Sequence, residues 1–144
     1  MQFFEKCLDV AKRANDKDNE ATCYQQIALI QEKVNGDNHD KAIEYLQKFL
    51  ELGIENNNKE NQREAHKMLA DIYSNNGQVP MAFQHLESVL EIAIANDTKS
   101  AEAEAALKLG LLYNKEGKER NIKKSSEFLQ SHFDLLRSAE NKNQ

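Results

Sequence analysis

Leu69-Ala70-Asp71-Ile72-Tyr73 and Leu109-Gly110-Leu111-Leu112-Tyr113 are one pattern written twice, at a step of forty residues (69 to 109). Ala42-Ile43-Glu44-Tyr45-Leu46 returns at the same step as Ala82-Phe83-Gln84-His85-Leu86, and Gly77 returns as Gly117. A fixed period of this size marks a stacked repeat array, in which one helical hairpin cannot bury its apolar face until the next lies against it. The expected fold is all-α.

Outward from that core, the chain divides into hairpins of a first helix (A) and a second helix (B). Residues 1–17 give a lone helix B, with Phe3, Phe4, Cys7, Leu8 and Ala11 on one face. No helix A precedes it in the sequence. Either the chain is a piece of a longer protein or another chain covers that edge, since Phe3 and Phe4 in water would form a sticky apolar patch. Residues 18–59 form the second repeat, with Cys23, Ile27, Ala28 and Ile30 inward in helix A and Ala42, Leu46, Phe49, Leu50 and Gly53 inward in helix B. Gln31 stands there in the place of Tyr73 and Tyr113. Residues 60–99 form the third repeat, where Pro80 sits near the first turn of helix B and forfeits no hydrogen bond.

Residues 100–144 form the fourth repeat and a C-terminal helix, with Ser125 where Ala82 would be and a stripe of Phe128, Leu129, Phe133 and Leu136. Ser138 to Gln144 is polar and expected to fray. Between hairpins, Asn15-Asp16, Gly36, Asn56-Asn57-Asn58 and Asp97-Thr98 supply turn and capping residues. About seven helices follow from this reading.

These residues resemble the tetratricopeptide repeat. In that motif helix A carries Leu, Gly or Ala, and Tyr, and helix B carries Ala and then Phe or Leu. Leu69, Ala70, Tyr73, Ala82 and Leu86 fit one unit, and Leu109, Gly110 and Tyr113 fit the next. The resemblance implies a right-handed superhelical solenoid that binds and scaffolds and seldom catalyses. A period of forty rather than about thirty-four looks like the longer-helix variety of kinesin light chains, of the Leu-Gly-Asn repeat adaptors and of several ciliary and axonemal repeat proteins. That likeness suggests a cytoplasmic scaffold in a cytoskeletal or ciliary assembly.

Composition bounds the alternatives. A net charge of −5 argues against nucleic acid, whose phosphates need clustered Lys and Arg. The one basic cluster, from Lys115 to Lys124, contains Glu116 and Glu119 and reads as a solvated turn. No run of about eighteen apolar residues is present, so membrane insertion is not expected. The segment from Met1 to Lys6 lacks the basic-then-apolar layout of a secretory signal.

Catalytic chemistry finds little support. Cys7 and Cys23 lie on inward helical faces and read as small core residues. His39, His66, His85 and His132 are never three or four residues apart, so no two share a helix face as a two-His metal site would require. Acidic pairs such as Glu87 and Glu91 or Glu102 and Glu104 fall on exposed ridges. The sequence shows no Gly-rich phosphate loop and no serine elbow. The chain is read as no enzyme, with no cofactor and no metal.

The resemblance also points to a groove. In tetratricopeptide proteins helix A lines the concave surface, which here would present Gln25, Gln26 and Leu29, then Lys67, Met68 and Asp71, then Leu107, Lys108 and Leu111. Lys67 would suit the carboxylate clamp of the chaperone-binding subclass, but Asp71 stands where that clamp has Asn, and an acid repels a carboxylate. Leu29, Asp71 and Leu111 also replace the backbone-gripping Asn of the Leu-Gly-Asn adaptors. Leucines and Met68 beside Lys67 and Lys108 suit an amphipathic helix carrying acidic residues. The expected function is a scaffold for proteins. The alternatives are a groove-type binder of a peptide or helix, and a regulatory domain cut from a longer enzyme.

Overall fold

The computed structural model describes residues 2–34, 39–116 and 119–142. Within them the chain forms seven α-helices and no strand: α1 (Gln2–Arg13), α2 (Lys17–Val34), α3 (Asp40–Glu55), α4 (Lys59–Asn75), α5 (Val79–Ala95), α6 (Lys99–Glu116) and α7 (Glu119–Lys142). The all-α class and the helix count agree with the periodicity. Gly36 and Gly117, read as part of the turn pattern, lie outside the described residues. The chain folds as two compact units, Met1–Ile72 and Tyr73–Gln144.

Each turn from a helix B to the next helix A is built the same way. Asn15, Asn57 and Asp97 take left-handed φ values of 54°, 52° and 51°. The amide after each reaches back over the turn: Asp16 donates to the Ala11 carbonyl at 2.9 Å, Asn58 to Gly53 at 2.8 Å and Thr98 to Ala93 at 2.9 Å. Asn15, Asn57 and Asp97 themselves donate to Lys12, Ile54 and Ile94 at 3.1 Å. This paired closure satisfies the last carbonyls of the helix. Asn and Asp tolerate the conformation because their short polar side chains bond locally.

The next residue opens the following helix. The Asp16 and Asn58 side chains accept from the amides of Asn19 (3.2 Å) and Asn61 (3.0 Å), the bond that defines an N-cap. Two adjacent residues thus stop one helix and start another. The turn from α4 to α5 uses Gly77 instead, at φ 76°, followed by Pro80 in the first turn of α5.

In the first unit, α1 packs on α2 and α2 on α3. Ile27, Ala28, Ala42, Leu46, Phe49, Ala65, Leu69 and Ala70 are its driest side chains, each 2% exposed or less. The end of α3 meets the start of α4 closely: a Cβ on Gly53 would stand 3.2 Å from the Gln62 amide nitrogen. Gln62 Nε2 donates to the Gly53 carbonyl at 3.0 Å. In the second unit, α5 packs on α6 and α6 on α7, around Ala82, Leu86, Ala93, Ala105 and Leu109.

Helix A repeats a pattern of a small residue, then Ile or Leu four on, then another small residue. Cys23, Ile27 and Ala28 return as Ala65, Leu69 and Ala70 and again as Ala105, Leu109 and Gly110, all buried. Small side chains at two columns let neighbouring helices approach.

Three assignments differ from the periodicity. Leu50 and Ile30 are half-buried, and Leu52, 6% exposed, enters the α3 core instead, because α3 is flanked on two sides. Phe3 lies on the same side of α1 as Ala11 yet is not packed; it is 70% exposed where Ala11 is 5%. The polar tail remains helical to Lys142, since extending an existing helix by one residue is far easier than nucleating one.

Candidate interaction surfaces

The residues expected to line a groove sit on the helix A faces, outside the core. In the first unit Leu29 is 40% exposed and Asp71 exposed, with Lys67 half-buried beside them. Gln25 and Met68 meet directly, Nε2 to Sδ at 3.8 Å, so α2 and α4 present one contiguous strip. In the second unit Leu111 is 54% exposed, while Leu107 and Lys108 are half-buried. Lys108 Nζ lies 3.7 Å from Glu104 Oε1 one turn earlier.

A second surface lies at the N-terminal edge. Phe3, Phe4, Cys7, Val10 and Ala11 of α1 and Ala14 just after it, together with Thr22 and Cys23 of α2, line an apolar groove of about 540 Å³. That volume falls within the range of roughly 300–1,000 Å³ common for small-molecule sites. Its few polar side chains, Lys6, Asp16 and Asn19 among them, give a small ligand little to orient it. Burial raises the pKa of the Cys23 thiol, which keeps it protonated and a poor nucleophile. Cys7 and Cys23 are both free thiols.

A charged cluster was not foreseen from the sequence. Glu20, only 6% exposed, accepts from the Tyr24 hydroxyl at 3.4 Å and from Lys17 Nζ at 3.3 Å. Lys12 and Lys48 stand 5.5 and 5.9 Å from the centre of the Tyr24 ring. The hydrogen bond with Tyr24 raises the Lys12 pKa. With Glu51 and Glu55 on the same surface, three lysines meet three acids around the ring, and the cluster reads as a structural network. A spacing rule could not find it, because it gathers three helices.

The histidines take up separate duties. His39 Nδ1 lies 2.7 Å from Glu32 Oε2, and His132 Nδ1 lies 2.5 Å from the Ala103 carbonyl. His85 stacks on Tyr73 at 5.5 Å between ring centres, and burial lowers its pKa. Tyr113 and Phe128 repeat that stack at 5.7 Å. Among the described residues no three metal-capable side chains come together, and no helix is long and apolar enough to cross a membrane.

Residues 22–52 match the family model of the tetratricopeptide repeat. The matched segment runs through α2 and α3, the hairpin in which Gln31 replaces the tyrosine. No curated protein matches the chain. Among solved structures, the crystal structure of BtubC (BKLC) from P. vanneervenii superposes with a TM-score of 0.80 at 18% identity, covering 95% of this chain. The chain spans about half of that one, 54%. At this identity the likeness shows the fold, an all-α helical repeat solenoid. The repeat match and the fold together support the tetratricopeptide family and, with it, a role in protein–protein interaction.

Proposed function

We propose that this chain is a non-enzymatic interaction scaffold that gathers proteins in a larger cytoplasmic assembly, of the cytoskeletal or ciliary kind. It captures an amphipathic helix carrying acidic residues on the helix A faces. The observation that carries this reading is the exposure of Leu29 and Leu111, 40% and 54%, at matching positions of α2 and α6. Isolated exposed leucines are common. Leu29 in the first unit and Leu111 in the second hold the same repeat position, so each unit presents on its helix A an apolar side chain among basic or amide ones. The cytoskeletal setting is drawn from the forty-residue period and its likeness to motor-adaptor and ciliary repeats.

The test is capture of partners from the native cells by wild-type chain and by a Leu107→Ala/Leu111→Ala double variant. Leu111 is more than half exposed and Leu107 half-buried, so the pair is expected to lower stability by only about 1–2 kcal/mol. Partner capture should fall at least tenfold. Cross-links from Lys67 and Lys108 to one short helical segment would agree with that outcome. Undiminished capture by a folded double variant would sink the groove assignment.

A further inference from the structure

On α4 the apolar character of the helix A face falls to one side chain. Of the three residues expected there, Lys67 and Asp71 are charged and Met68 is not. The same repeat position holds Gln26 in α2 and Lys108 in α6, at steps of forty-two and forty residues (26 to 68 to 108). Met68 is half-buried, and Gln25 Nε2 of α2 points a donor at its sulfur at 3.8 Å. A thioether sulfur is a weak acceptor, so this N–H is poorly used while the methionine is reduced. An oxygen added to the sulfur on the Gln25 side would lie nearer to Nε2 than the sulfur does, within the ordinary N–H···O range. The donor for the oxidised side chain is already in place.

We infer that Met68 is a site of reversible oxidation by a peroxide, and that its sulfoxide switches off helix capture on the α2/α4 strip. This deepens the groove reading above and rests on it. The sulfur lone pair attacks one oxygen of hydrogen peroxide, and the S–O bond forms as the O–O bond breaks. Sulfur loses two electrons and the peroxide gains them. The departing hydroxide takes the proton of the transferred OH and leaves as water. A dithiol returns the two electrons: it becomes a disulfide, and the sulfoxide oxygen leaves as water with the two thiol protons. Oxidation changes what a partner helix meets. An apolar residue laid over Leu29 and Met68 would bury a sulfoxide dipole in place of a thioether, and α4 would offer that helix no apolar side chain from its three groove positions.

Met81, 37% exposed in the first turn of α5 and no part of this strip, is the internal control. The readout is the set of proteins that the wild-type chain captures from its native cells and a Leu29→Ala variant does not. Hydrogen peroxide, followed by dithiothreitol to restore oxidised thiols, should place a sulfoxide on Met68 by peptide mass spectrometry and lower capture of that set at least tenfold. A dithiol-dependent sulfoxide reductase should restore it. Met68→Leu, close in volume and still apolar, should capture as the wild type does and make peroxide without effect. Met68→Gln should capture at least tenfold less without peroxide, with helix content unchanged by circular dichroism. Gln25→Leu, which removes the donor, should speed reduction of the Met68 sulfoxide at least threefold.

No sulfoxide at Met68 under peroxide that fully converts Met81 would overturn the switch. So would full capture by a chain whose Met68 is fully oxidised, or a loss of capture that Met68→Leu does not prevent. Each of these leaves the groove reading standing. An unchanged reduction rate in Gln25→Leu would overturn the part given to Gln25. If neither Leu29→Ala nor Leu107→Ala/Leu111→Ala loses any captured protein, the groove reading falls and the switch with it.

Discussion

Asn57 does at a single residue what most helices leave to glycine. Its φ of 52° lies in the left-handed region, which disfavours side chains that cannot bond locally. Asn57→Ala should therefore cost about 1 kcal/mol in denaturant unfolding, while Asn57→Gly should be neutral or stabilising by a few tenths. His85 makes a pH-dependent contribution. Its folded pKa lies below the ordinary 6.5 because burial disfavours the charged ring. Below pH 6.5 the unfolded chain takes up a proton that the folded chain resists, so this residue makes stability fall as pH drops through that window and leaves it flat above. His85→Phe, which copies Phe128 of the later stack, should flatten the acid side of the melting-temperature profile. An unchanged profile would show that His85 is not the group responsible.

At the scale of the element, the forty-residue step reproduces not only residue types but burial. Ala42, Leu46 and Phe49 of α3 are each 2% exposed or less, and Ala82, Leu86 and Val89 of α5 each 4% or less. Ile54 and Ile94, at the same step, are 60% and 56% exposed. Phe49→Ala should destabilise by about 3–5 kcal/mol, and Ile54→Ser by about 0.5 kcal/mol or less. The contrast, read by chemical denaturation, tests whether position in the repeat outranks residue type. This part of the fold was legible in the sequence because a helix face and a repeat period are both one-dimensional signals. The two apolar stripes of α1 were not separable that way. Phe3 and Phe4 are neighbours in sequence, yet Phe4 is half-buried and Phe3 exposed, a distinction set by what packs beside the helix. The Lys12, Glu20, Tyr24 and Lys48 cluster was likewise invisible, because its members come from three helices.

Across the whole molecule, net charge and surface chemistry pull in different directions. The chain carries −5, which repels acidic partners at long range, while the strip around Leu29, Met68 and Lys67 suits an acidic amphipathic helix at contact. If apolar burial dominates, capture of that helix should survive about 1 M salt, where the Debye length falls to roughly 3 Å. Loss of capture between about 0.1 and 1 M would instead give the main role to Lys67 and Lys108. The sequence pointed to the class of function through its likeness to a repeat family. The partner's own residues, on which specificity depends, are not written in this chain.

The identical turns at Asn57-Asn58 and Asp97-Thr98 also bear on how such a chain changes length. Cutting after Asn57 and rejoining to Thr98 would splice one left-handed residue and one cap onto backbone of the same geometry, with the helix after the junction starting in register. Loss or duplication of that forty-residue cassette is thus a far gentler lesion than loss of three or four residues within it. Variants of this protein should differ in length by whole hairpins, and the distance between the things it joins should change in steps.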